Sequence, residues 1–187
     1  MRAFIAIEIP QDIRDELARV IGQLKDSIVA RSGEMKWVKP GAIHLTLKFL
    51  GDIKEDKIET ACSIVKEIIS KYEHFQVELS GIGTFASPPK VIWIGIKDED
   101  EILKQIADEL DSALCKIGLE KSTRKFRPHL TLCRIKSLKA GQNTEDVMPE
   151  FEDYQGPDLP VETVCLYHSR LTDKGAVYTA VCKTELK

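Results

Sequence analysis

One tetrapeptide occurs twice in this chain, as His44-Leu45-Thr46-Leu47 and as His129-Leu130-Thr131-Leu132. The copies lie 85 residues apart in a chain of 187, close to half its length. So long a period with two copies excludes a solenoid and suggests two similar lobes. On a strand, alternate side chains share a face. Each His would stand beside its Thr on one face, with the two leucines on the other. The leucines anchor a lobe's core, and the His-Thr pair points away from it, into a cleft. If two lobes face each other, two imidazoles and two hydroxyls converge on one pocket.

Periodicity fills in the rest. Residues 2–9 alternate, with Ile5, Ile7 and Ile9 on one face, and read as a strand. Ile13, Leu17, Val20, Ile21, Leu24 and Ile28 follow helical spacing, giving a helix over 11–30. A short extended piece at 36–39 precedes the turn Pro40-Gly41. Strands are expected at 43–49, 75–82, 91–97, 128–135, 161–168 and 176–183, and helices at 54–72 and 100–117. The run Val91-Ile-Trp-Ile-Gly-Ile96 is apolar on both faces, as a central strand is. Asp173-Lys174-Gly175 supplies a turn through which the last two strands could pair. Residues 136–160 show no regular pattern and read as a loop. Because strands come in consecutive groups, the expected class is α+β with largely antiparallel pairing.

The paired motif suits a phosphodiester. Hydrolysis needs a base for the attacking water and an acid for the departing oxygen. Histidine, with an ordinary pKa of about 6.5, can serve as either at neutral pH. Two on opposite sides of the phosphorus can serve as both in one turnover. Threonine hydroxyls can donate to the non-bridging oxygens, where charge accumulates. Zinc is the rival reading, since Cys133 has the parity of His129. Yet no metal-ligand spacing such as H-E-x-x-H occurs, and Thr is a poor zinc ligand. No metal and no cofactor are therefore expected.

The wider context of these motifs resembles a known family. The opening Arg2-Ala-Phe-Ile-Ala6 strand, Trp37-Val38, and His44-Leu-Thr-Leu-Lys-Phe-Leu-Gly51 all fit it. So do Phe85 with Pro88-Pro-Lys-Val-Ile-Trp93, then Phe126-Arg-Pro-His129, and the ending with Leu166, Ser169, Leu171, Gly175 and Tyr178. This is similar to the 2H phosphoesterase superfamily and, within it, to RNA 2′,3′-cyclic phosphodiesterases, often called 2′-5′ RNA ligases. The resemblance covers nearly the whole chain. It implies a single bilobal domain over 1–187, with pseudo-repeats at about 1–85 and 90–187. Two largely antiparallel sheets would face a central cleft, with helices outside. It implies hydrolysis of a 2′,3′-cyclic phosphate to a 2′-phosphate, with His44 as general acid, His129 as general base, and Thr46 and Thr131 on the phosphoryl oxygens. Phe49 matches a family aromatic set against the terminal base, and Arg134 a family arginine near the phosphate. Both have the parity opposite to the histidines. Strict alternation would turn them to the other face, unless the strand ends, twists or bulges there.

Charge is unevenly placed. The formal net charge of −3 excludes a uniformly basic nucleic-acid coat. Yet residues 121–139 carry seven cations and no acid, and 140–162 carry seven acids and no cation. The basic segment brackets the second motif, and Lys36, Lys39 and Lys48 flank the first. Such clusters would draw RNA phosphates to the cleft, unless the two segments neutralise each other. The expected partners are RNA ends or small nucleotides with a 2′,3′-cyclic phosphate, handled by a monomer. Reversed, the same chemistry would be an ATP-independent 2′-5′ ligation. A non-catalytic RNA-end or nucleotide binding module is the alternative outside enzymology.

Other features carry less. Gly81-x-Gly83-x-x-Ala86 fits the dinucleotide fingerprint, but Pro88 and Pro89 stand where that motif needs a helix. No P-loop occurs. Five scattered cysteines with no C-x-x-C pair are expected to be reduced and mostly buried. His74 is expected to be solvated and His168 to be plain surface. No apolar run approaches the roughly 18 residues of a membrane span. With no signal peptide at Met1–Pro10, a cytoplasmic location is expected.

Overall fold

The computed structural model describes residues 1–172 and 175–187. Its strands are β1 (Arg2–Ile7), β2 (Met35–Trp37), β3 (Leu45–Asp52), β4 (Phe75–Phe85), β5 (Val91–Lys97), β6 (His129–Ile135), β7 (Gln155–Val161), β8 (Thr163–Thr172) and β9 (Gly175–Glu185). Its α-helices are α1 (Gln11–Ser27), α2 (Ile58–Ile69), α3 (Ile102–Lys116) and α4 (Leu138–Val147). The strands form two sheets, ordered β3-β1-β8-β9 and β2-β6-β5-β4-β7. Every pairing is antiparallel. This is the expected α+β class, with β5 central as its two apolar faces require.

Each sheet draws strands from both halves of the chain. The motif strand β3 pairs with β1, and β1 also pairs with β8 from the far end. The motif strand β6 pairs with β5, and β5 also pairs with β4 from the first half. Helices α2 and α3 contact each other and the first sheet, while α1 contacts β7 of the second. The isoleucine face of β1 is fully buried, and so are Ile13, Leu17, Val20 and Leu24 of α1. Burying such side chains stabilises by about 1.5–3 kcal/mol each.

Residues 136–160 are not a loop. Helix α4 starts at Ser137, whose Oγ accepts from the Ala140 backbone N–H at 3.1 Å. Its buried residues are Ala140, Gly141 and Thr144. At Gly141 an added Cβ would lie 2.9 Å from the Pro89 carbonyl oxygen. A helix seated by small residues shows no apolar stripe, so periodicity misses it. Strand β7 contains Gly156, Pro157 and Pro160, and it survives because it is an edge strand.

The cysteine reading also needs correction. Cys62 on α2 and Cys182 on β9 form a disulfide between residues 120 apart in sequence. Packing of α2 onto β9 brings their Cα atoms to 6.2 Å, which no sequence spacing reveals. Cys115, Cys133 and Cys165 are free thiols. The pairing of β8 with β9 holds, but Asp173 and Lys174 of the expected turn lie outside the described residues. Among the described residues no helix is long and apolar enough to cross a membrane.

Candidate active site

Both motifs sit where strands approach the interface of the two sheets, and β3 contacts β6 directly. Each motif meets a register shift one step beyond its threonine. On β1, the step from Ile5 to Ala6 corresponds to two residues on β3, Lys48 to Thr46. On β5, the step from Ile92 to Trp93 corresponds to two residues on β6, Cys133 to Thr131. A bulge of this kind resets alternation. Thr46 lies opposite Ala6 and Phe49 opposite Phe4, so both share a face. Thr131 lies opposite Trp93 and Arg134 opposite Val91, so they too share a face, with His129 opposite Gly95. The parity objection to Phe49 and Arg134 is thereby removed.

The bulges send two other residues the opposite way. Cys133 turns from the His129 face into the core, fully buried, where desolvation pushes its thiol up to about 12. It does not join His129 as a zinc reading would require. Among the described residues no group of three or more His, Cys, Asp and Glu is placed to hold a metal ion. Lys48, expected among the cations flanking the first motif, is only 3% exposed. Its Nζ donates to Asp111 Oδ1 at 2.5 Å, to the Glu120 carbonyl at 2.9 Å and to Ser122 Oγ at 3.4 Å. It therefore offers nothing to a ligand in the cleft.

The two imidazoles are held alike. His44 Nδ1 lies 3.0 Å from the Ala42 carbonyl, and His129 Nδ1 lies 2.7 Å from the Arg127 carbonyl. A carbonyl only accepts, so Nδ1 carries the hydrogen in both rings. Nε2 is left for chemistry in each, and no described protein group bonds it.

Their surroundings differ. His44 stacks on Phe4 at 4.4 Å and meets Tyr178 edge-on at 5.1 Å. Phe4 itself is buried under His44, Tyr167, Tyr178 and Phe49. Burial pushes the His44 imidazole down to about 4; the bond to Ala42 works against this, and the positive charge of Arg134 adds to it. That electrostatic reach of Arg134 ties the second motif's strand to the first motif's ring. His129 meets Phe85 edge-on at 5.0 Å, and Phe85 lies 5.3 Å from Trp93. Phe49 is 66% exposed, free to stack on a ligand.

Sequence reasoning assigned no role to Phe4, Tyr178 or Phe85. A signal existed for Phe4: if Ile5 and Ile7 face the core, Phe4 and Ala6 face the motif side. The glycines of the apparent dinucleotide fingerprint lie in and around strand β4. At Gly83 a Cβ would fall 2.6 Å from the Trp93 ring, so that glycine makes room for an indole rather than a phosphate. His168 pairs with Ala3 and turns away from the motif face, and His74 is exposed.

Arranged in this way, two imidazoles with free Nε2 atoms, two hydroxyls and a guanidinium can exchange protons with, and neutralise, a phosphoryl group. The sequence pattern of LigT-like phosphoesterases matches the chain twice, over residues 7–93 and 94–178. An RNA 2′,3′-cyclic phosphodiesterase of Methanothermobacter thermautotrophicus is 29% identical over 181 residues, 96% of this chain and 95% of that one. Its counterpart in Methanocaldococcus jannaschii is 31% identical over 183 residues, 97% of this chain and 98% of that one. The crystal structure of a Thermus thermophilus protein superposes with a TM-score of 0.81 at 25% identity, covering 99% of this chain and 97% of that one.

Proposed function

The chain belongs to the LigT-like phosphoesterase family, and from that premise we propose that it hydrolyses RNA 2′,3′-cyclic phosphate ends to 2′-phosphates without a metal ion. The observation that carries this reading is the matched pair of imidazoles, each with Nδ1–H fixed by the carbonyl two residues earlier. The names of the relatives that match along nearly the whole chain support the substrate. We read residues 1–187 as one bilobal domain of two repeats.

In this reading His129 Nε2 takes a proton from water as the water oxygen bonds to phosphorus. The bond from phosphorus to O3′ breaks, and His44 Nε2 gives that oxygen its proton. Thr46 and Thr131 donate to the non-bridging oxygens, Arg134 offsets their charge, and Phe49 stacks on the terminal base. Protons balance, since one is taken and one given. His44 is neutral at pH 7 in the free chain, because its imidazole is held down to about 4. It gains its proton with the substrate, whose phosphate anion favours the charged ring.

One incubation tests the reading: a 2′,3′-cyclic mononucleotide with excess chelator, with the product isomer identified. A 2′-phosphate is expected. A 3′-phosphate would reverse which bridging oxygen leaves, and absence of turnover would overturn the proposal in favour of a binding module.

A further inference from the structure

The open edge of the second sheet carries an arrangement that the reaction as drawn does not use. Strand β2 pairs with β6 in the register Met35↔Ile135, Lys36↔Arg134 and Trp37↔Cys133. Met35 and Trp37 are half-buried on the core side, with the Lys25 ammonium 5.7 Å from the centre of the Trp37 ring. Lys36 therefore lies on the other face, the one that Arg134 shares with Thr131 and His129. Both cations are exposed.

Two like charges directly opposite each other on an antiparallel pair repel. Nothing in the described chain relieves them. Neither Lys36 nor Arg134 has a carboxylate within 4.0 Å among the described residues. Lys136, just past the end of β6, is exposed and equally without an ion pair among the described residues. Glu34 is opposite Lys136 in the chain trace, but its carboxylate accepts from the Arg31 backbone N–H at 2.7 Å. Nor does the acidic stretch 140–162 supply a partner, since no ion pair joins it to 121–139 among the described residues.

The repulsion becomes attraction once an anion lies across the strip. Arg134 marks the inner end, because its charge reaches the His44 ring. Lys36 stands one strand further out, about 5 Å away at the Cβ atoms. Lys36 thereby places a second cation one strand away from the one set at the reacting phosphate. We propose that Lys36 binds the phosphodiester next to the reacting one, so that the protein favours an oligonucleotide ending in a cyclic phosphate over a cyclic mononucleotide. This rests on the reading of the site given above and adds the chain-length preference and the residue that sets it.

The test compares kcat/KM for a 2′,3′-cyclic mononucleotide and for a trinucleotide with the same terminus, using the wild type and Lys36→Met. Methionine keeps most of the unbranched length of the side chain and removes the charge. Expected is a fall of about 5–10-fold on the trinucleotide, with the mononucleotide changed less than about twofold. On the trinucleotide, the slope of log kcat/KM against log salt should become shallower by about 0.7, one single-strand phosphate contact. The melting temperature should stay level or rise, since a repulsion has been removed. An equal fall on both substrates, or no fall on either, overturns the subsite while leaving the cyclic phosphodiesterase reading in place. If the wild type turns over neither substrate, both are overturned together.

Discussion

The two His-Leu-Thr-Leu regions share more than their letters, and they differ just beyond them. Both have a bulge after the threonine, and both fix Nδ1–H on the carbonyl two residues earlier. The residue four places after the histidine is buried in both, as Lys48 in one and Cys133 in the other. The residue five places after it returns to the motif face, as Phe49 in one and Arg134 in the other. A shared backbone device therefore presents two different chemistries on the motif face: an exposed aromatic ring on β3, and on β6 a guanidinium whose charge reaches the first motif's His44. In the proposed mechanism the matched motifs supply the pair of proton carriers, and the unmatched positions give the cleft its ring and its charge.

The largest expected effect removes the matched part. His44→Ala and His129→Ala should each lower kcat by roughly 10²–10⁴-fold while the fold persists. The double variant should fall much less than the product of the two, because groups that act as a pair are not additive. Near-wild-type turnover of either single variant would break the equivalence of the two motifs and the mechanism with it.

The second effect tests an unmatched position. Lys48 is a buried cation tying β3 to the segment at 120–122 that leads toward His129. Burial alone would raise the Asp111 carboxyl, but Lys48 and Ser122 more than offset this and hold it below the ordinary carboxylate range. Removing Lys48 leaves the partly buried Asp111 carboxylate with only its bond from the Ser122 N–H. Lys48→Met should cost about 1.5–3 kcal/mol in urea unfolding. Adding Asp111→Asn, which still accepts from the Ser122 N–H, should recover much of that loss. Cys133→Ala should cost only about 1 kcal/mol, near the centre of ordinary point substitutions. Equal costs for Lys48→Met and Cys133→Ala would show that the ion pair adds nothing beyond core packing.

These contrasts mark what the sequence discloses. The repeat disclosed the motif strands, because an alternating pattern and a duplicated tetrapeptide are both local. It left the faces of Phe49 and Arg134 open, because a bulge is decided by the partner strand, and nothing in Leu47 or Leu132 announces one. Lys48 read as a surface cation, because the carboxylate that receives it lies 63 residues away. Helix α4 escaped notice because Ala140, Gly141 and Thr144 seat it without large apolar residues. The disulfide between Cys62 and Cys182 escaped for the same reason as the ion pair: helix packing, not spacing, makes the contact.

The smallest effect concerns the dryness of His44. In the unfolded chain an imidazole binds its proton as pH falls through about 6.5. In the folded chain His44 does so only near 4, because burial between Phe4 and Tyr178 disfavours the charged ring. Between these values the unfolded state holds more protons, so stability rises with pH and is lost on acidification. The loss from His44 between pH 7 and pH 5 should be about 2 kcal/mol in urea unfolding. Few carboxylates titrate in that window, so the slope can be assigned by replacement. In His44→Phe, whose ring keeps the stack on Phe4, the loss over the same window should shrink by about that amount. An unchanged slope would place the His44 ring in water despite its aromatic neighbours. His44 would then not need the substrate's charge to acquire the proton that the proposed mechanism has it give to O3′.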